Sequence, residues 1–121
     1  MRIISGYLKG RKITKPNSKA TRPLKDLTKE SIFNILEHSK NAKIPIKKSN
    51  VLDVFSGTGS FGLECISRGA SKVYFIEQHK PSIKILIKNI EKLNCEKKVK
   101  LFSENVFDLK KLKKSEKINL I

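Results

Sequence analysis

An α/β fold built on a parallel sheet is what this sequence predicts, and three observations carry the prediction. Apolar stretches of strand length alternate with amphipathic stretches of helix length through the second half of the chain. They give the order β-α-β-α-β-α-β, which implies right-handed crossovers. The first of these strands, V-L-D-V-F at 51–55, runs straight into S-G-T-G-S at 56–60, a turn where glycine supplies a positive φ or a close backbone approach. Finally, 121 residues with 38% hydrophobic and 31% charged side chains suit one globular domain with a real core.

Taken in order, R-I-I-S-G-Y-L-K-G-R-K-I at 2–13 reads as a small β-ribbon that bends near the glycines at 6 and 10. Residues 14–20 form a loop with Pro16-Asn17-Ser18 as turn chemistry, and Pro23 makes 21–24 extended. A helix follows from about 25 or 26 to 37. Leu27, Ile32, Phe33, Ile35 and Leu36 supply its apolar side, with Glu30 and Asn34 near one face. Residues 41–49 are a basic connector containing Pro45. After the glycine turn a helix starts at 61, N-capped by Ser60, and stops at Arg68-Gly69. Residues 73–76 form the second strand. Pro81-Ser82 opens a helix whose Ile83, Leu86, Ile87, Ile90 and Leu93 recur at helical spacing. Residues 99–102 are a third strand, 106 to about 113 a short helix, and 118–121 the start of a fourth strand. The chain divides into a basic extension, 1–49, and a parallel α/β part, 50–121. Because 118–121 resembles a sheet interior, the sequence reads as cut rather than finished.

Charge points to a partner. The formal net charge is +16, and residues 1–50 carry 13 Lys and Arg against 3 Asp and Glu, a net of +10. A basic excess gathered around a patterned ribbon predicts nucleic acid, with Arg2, Lys9, Arg11 and Lys12 gripping phosphates. No apolar run reaches membrane-spanning length and the N-terminus carries no signal-like apolar region, so the expected location is cytoplasmic. Cys65 and Cys95 lack metal-ligand spacing, and Cys65 on an apolar helix face reads as core. No metal and no membrane partner are expected.

The stretch at 51–64 narrows the ligand class. Gly57, Gly59 and Gly62 fit G-x-G-x-x-G, a weak signal alone. Asp53 stands inside the strand, where a carboxylate needs turn amides or a cationic ligand group to offset its desolvation. Glu77, ending the second strand, is placed to accept hydrogen bonds from ribose hydroxyls. A ligand with a ribose, a positive amino-acid tail and no pyrophosphate, such as S-adenosylmethionine, fits both acids. A nicotinamide or flavin dinucleotide and a tight βα turn holding no ligand are the alternatives.

Three segments, 2–13, T-R-P-L-K-D-L-T-K-E-S-I-F-N-I-L at 21–36 and V-L-D-V-F-S-G-T-G-S-F-G-L-E-C-I-S-R-G-A at 51–70, together resemble the RsmD family. These are bacterial methyltransferases that modify guanine N2 of small-subunit ribosomal RNA with S-adenosylmethionine. The resemblance implies a class I S-adenosylmethionine-dependent methyltransferase fold, incomplete at its C-terminus, with a basic N-terminal extension for ribosomal RNA or an assembling small subunit. It also implies that 50–121 is the N-terminal half of a Rossmann-like domain. It implies that Asp53, Phe55, Gly57 and Gly59 form the cofactor loop, with Glu77 on the ribose and Asn105 on the adenine side. Arg22, Lys29, Glu30 and Asn34 fall in the family's N-terminal signature, and the first two join the RNA-binding set. Leu24, Leu27 and His79 depart from the family pattern, and His79 reads as loop filler. The family continues its fourth strand into a Pro-Pro-aromatic motif that holds the target amine, so the catalytic residues are expected beyond Ile121 and this chain alone is expected to be inactive. A non-catalytic RNA-binding protein with a vestigial fold is the alternative.

Overall fold

A computed structural model describes residues 1–14, 26–38, 45–54 and 56–103. Three strands, β1 (Asn50–Val54), β2 (Lys72–Ile76) and β3 (Val99–Phe102), form one sheet in the order β1-β2-β3. Both pairings are parallel; Asp53 lies opposite Phe75, and Phe75 opposite Leu101. The helices are α1 (Asp26–His38), α2 (Ser60–Ser67) and α3 (Lys80–Lys92), and a short 3₁₀ turn at Glu96–Lys98 leads into β3. The helix and strand expected at 106–113 and 118–121 lie outside the described residues.

Side-chain alternation along the strands sorts the core into two faces. Val51, Val73 and Phe75 enter the larger cluster, joined by Leu63 and Ile66 of α2, Leu86 and Ile90 of α3, and Phe33 of α1. Leu52, Tyr74 and Ile76 form a smaller cluster on the other face, with Val54 and Phe102 against it. A sheet buried on both faces needs apolar residues at every strand position, which is why β2 reads as a continuous run. Among the described residues no helix is long and apolar enough to cross a membrane.

The N-terminal ribbon is real but short. Arg2 and Lys12 form an antiparallel bridge, and Ile3 N–H donates to the Arg11 carbonyl at 2.9 Å, as Ile13 N–H does to that of Met1. Its Ile3, Leu8 and Ile13 are buried in the same cluster as Val51 and Phe75, so the ribbon packs on the sheet's core.

Two helical readings need correction. Ile35 and Ile87, expected on apolar faces, are 59% and 41% exposed. In α3 the buried stripe is Ser82, Leu86, Asn89 and Ile90, so an amide occupies part of the face that apolar periodicity assigns to isoleucine. Ser60 is not the N-cap of α2. Gly59 takes that place in a left-handed conformation (φ 90°), which starts the helix one residue early. The Ser60 hydroxyl accepts a hydrogen bond from Lys29 Nζ instead, at 3.2 Å.

Candidate functional site

At the carboxyl edge of the sheet, β1 ends beside the glycine turn and β2 ends at Glu77. Gly57 and Gly59 both adopt positive φ, as the turn requires. Glu77 holds this turn. Its Oε1 accepts from Gly57 N–H at 2.7 Å, while Oε2 accepts from Gln78 and His79 N–H, each at 3.0 Å. An ionised carboxylate offers about four acceptor positions, so three amide bonds leave Glu77 capacity for a hydroxyl donor. The turn closes with Ser56 N–H on the Ile76 carbonyl (3.1 Å) and Gly59 N–H on that of Ser56 (2.9 Å). Asn89 fixes its outer side: its amide donates to the Thr58 carbonyl at 3.0 Å and accepts from Thr14 N–H at 2.8 Å, tying the ribbon's end to the turn.

Asp53 is buried, and Gly62 N–H donates to its Oδ2 at 3.1 Å. Among the described residues Oδ1 has no hydrogen-bond donor. Burial raises the Asp53 pKa from 3.8 to about 7; the Gly62 amide opposes the shift and the Glu77 carboxylate adds to it. Gly62 has to be glycine because a Cβ there would run into the Phe75 ring and stand 2.9 Å from Asp53 Oδ2. The edge therefore presents two carboxylates, one short of partners, beside the N-terminus of α2. A cationic group with hydroxyls suits that combination, and a dinucleotide pyrophosphate is disfavoured by both charges.

A second buried carboxylate, Glu64, lies in α2. Glu64 Oε1 pairs with Lys29 Nζ (3.3 Å) and accepts from Ile4 N–H (2.9 Å); Oε2 pairs with Arg68 Nε (2.8 Å) and accepts from Ser5 N–H (3.0 Å). Arg68 reaches on to Glu37 at 3.0 Å and lies 4.3 Å over the Phe33 ring, which stacks on Phe61. This cluster joins the ribbon, α1 and α2. Among the described residues no group of three or more His, Cys, Asp and Glu side chains is placed to hold a metal ion.

The family described as conserved hypothetical protein 95 matches residues 1–121. The chain belongs to that family. Among its relatives is ribosomal RNA small subunit methyltransferase D of Haemophilus influenzae, 43% identical over 96 residues that make up 78% of this chain and 46% of that protein. The Escherichia coli protein of the same description is 39% identical over 95 residues, 78% of this chain and 45% of its own length. The chain thus spans about half the length of the curated relatives it matches. Among solved structures, Escherichia coli yhhF, assigned as a methyltransferase, superposes with a TM-score of 0.72 at 32% identity, covering 87% of this chain and 52% of that one. These matches bear out the resemblance to the RsmD family, and the fold is the methyltransferase type of Rossmann-like α/β fold.

Within this family frame, the structure brings Asp53, Gly57, Gly59 and Glu77 together at one edge. Phe55, Asn105 and Arg22 lie outside the described residues. Arg2, Lys9, Arg11 and Lys12 are exposed, as phosphate contacts require. Lys29 is a correction. It is fully buried, with its ammonium on Glu64, Ser60 and the Arg2 carbonyl, so it cannot reach RNA in this conformation. Helical periodicity places Lys29 on α1 without showing that a carboxylate 35 positions later waits for it. His79 has a local role: it is the N-cap residue of α3, and its ring nitrogen Nδ1 lies 2.8 Å from the Ser82 hydroxyl. Sequence reasoning missed Glu64, Arg68 and Asn89. The i,i+4 spacing of Glu64 and its C-cap residue Arg68 and the break Asn89 makes in an apolar stripe mark these positions, but not the distant partners that Glu64 and Asn89 meet.

Proposed function

We propose that the chain is the cofactor-binding part of an S-adenosylmethionine-dependent methyltransferase acting on guanine N2 in small-subunit ribosomal RNA. The observation that carries this reading is the pair of carboxylates at the sheet edge: Asp53, buried with one oxygen lacking a donor among the described residues, beside Glu77, which already holds the glycine turn. When bound, the cofactor supplies an electrophilic methyl group to the neutral exocyclic amine. Asp53 would face a positive centre of that ligand, Glu77 would take its ribose hydroxyls, and the turn would let the ligand approach the backbone. Phe55 and Asn105 complete the cofactor set. Holding the target amine in line with that methyl group would supply the rate enhancement. Residues 1–49 serve the RNA, with Arg2, Lys9, Arg11, Lys12 and Arg22 on its phosphates, and 50–121 serve the cofactor. The protein works in the cytoplasm, on ribosomal RNA alone or in an assembling subunit.

Calorimetric titration of the full-length protein tests the cofactor reading. S-adenosylhomocysteine should bind, and Asp53→Ala and Glu77→Ala should each weaken it by at least ~1 kcal/mol, the scale of a charge-assisted hydrogen bond. Binding of NADH without S-adenosylhomocysteine would overturn it. RNA binding with no methyl transfer would favour a vestigial fold.

A further inference from the structure

The ribbon's basic tip does not stand alone. Arg11 Nη2 donates to the carbonyl of Lys92, the last residue of α3, at 2.7 Å. Lys98, in the 3₁₀ turn before β3, holds its ammonium 5.0 Å over the Tyr7 ring. These contacts bring Lys92, Lys97 and Lys98 beside Tyr7, Lys9 and Arg11, although the two groups are some 80 residues apart in the chain. All six are exposed, and the intervening acids Glu91 and Glu96 leave the patch basic. Tyr7 is 61% exposed, yet its backbone is pinned: its N–H donates to the Ser67 carbonyl at 3.0 Å, and the next residue, Leu8, is buried in the core. An aromatic ring displayed on a fixed backbone among lysines is a stacking platform for an unpaired base. The patch lies where β3 begins. The candidate cofactor edge lies where the strands end, a strand length of roughly 13 Å away.

We propose that this composite patch is a remote anchoring site for single-stranded RNA, with Lys92, Lys97 and Lys98 on phosphates and Tyr7 stacked on a base. It rests on the methyltransferase reading above and extends it. The RNA footprint reaches past the ribbon to the opposite edge of the sheet from the cofactor. A remote anchor binds substrate and reacting complex equally, so it affects KM rather than kcat.

The test is steady-state methylation of small-subunit ribosomal RNA by the full-length protein, with RNA affinity measured against salt. The Lys92→Gln, Lys97→Gln, Lys98→Gln triple variant should raise KM for RNA about tenfold or more and flatten the log–log salt slope by about 2, three single-strand contacts' worth. Turnover at saturating RNA and S-adenosylhomocysteine affinity should stay unchanged. Tyr7→Ala should raise KM at least about fivefold, whereas Tyr7→Phe, which keeps the ring, should not. Lys72→Gln with Lys100→Gln, at β2 and β3 positions belonging to the other sheet face, is the control for net charge. An unchanged salt slope in the triple variant, an equal loss per charge in the control, or a silent Tyr7→Ala overturns the anchor. Absence of methylation and RNA binding in the unsubstituted protein would instead overturn the parent reading.

Discussion

Asp53 and Glu64 are buried carboxylates eleven residues apart, one at the end of β1 and one in α2, and the protein treats them differently. Glu64 has both oxygens filled, by Lys29, Arg68 and two backbone amides. Asp53 has one amide, a neighbouring carboxylate and a pKa raised to about 7. A buried charge given its counter-charges ties structure together. One short of partners among the described residues is held against its own desolvation cost, which a cationic ligand group would relieve. The contrast separates a fold residue from a candidate binding residue within one motif, which composition alone cannot do.

The sharpest way to break the comparison is to delete Glu64. Glu64→Ala leaves the Lys29 ammonium buried without its carboxylate and two ribbon amides without an acceptor. Stability should fall by about 3–5 kcal/mol, read as a lower urea midpoint at unchanged m-value. The double variant Lys29→Met, Glu64→Leu should recover much of the loss, because an apolar pair removes the stranded charge. If Glu64→Ala costs less than about 1 kcal/mol, the cluster is not the tie that its geometry describes.

Asp53→Asn should do the reverse. With a folded pKa near 7 and an unfolded value near 3.8, the native state binds a proton that the unfolded chain has lost across that window. Stability therefore falls as pH rises from about 4 to 7 and levels off above 7, by up to about 4 kcal/mol from this group. Asparagine cannot ionise, so Asp53→Asn should flatten the slope and leave the ligand-free protein as stable or more stable at pH 8. Urea unfolding at pH 5 and pH 8 measures both; a slope that survives in Asp53→Asn assigns it to other groups.

The two carboxylates also show where sequence reasoning stops. The succession of β1–β3 and α1–α3 along the chain, their limits to within about a residue, and the glycine turn were legible because each rests on local pattern: apolar runs, a proline at the start of α3, glycine at forced positive φ. Asp53 and Glu77 were legible because a charge in or beside an apolar strand is locally anomalous. Lys29 was misread and Glu64 passed over for one reason. Their pairing spans 35 positions and two helices, and a lysine on an amphipathic helix looks alike whether it meets water or a carboxylate. Asn89 was lost the same way, since its partners Thr14 and Thr58 come from distant segments.

The smallest expected effect bears most directly on the proposed ligand. At pH 7 about half of the Asp53 carboxyls hold a proton, given a pKa of about 7. A cationic ligand group beside Asp53 favours the ionised form and lowers that pKa, so binding should release up to about half a proton there. Affinity should rise from pH 5 to 7 and then flatten. Titrations at pH 7 in two buffers of different ionisation enthalpy measure the release, and Asp53→Asn should abolish it. Comparing S-adenosylmethionine with S-adenosylhomocysteine sharpens the assignment. Both carry the amino-acid ammonium and only the first carries the sulfonium, so equal release points Asp53 at the ammonium and a smaller release with the second points it at sulfur. Release that persists undiminished in Asp53→Asn would place the titrating group elsewhere and remove the distinction between the two carboxylates.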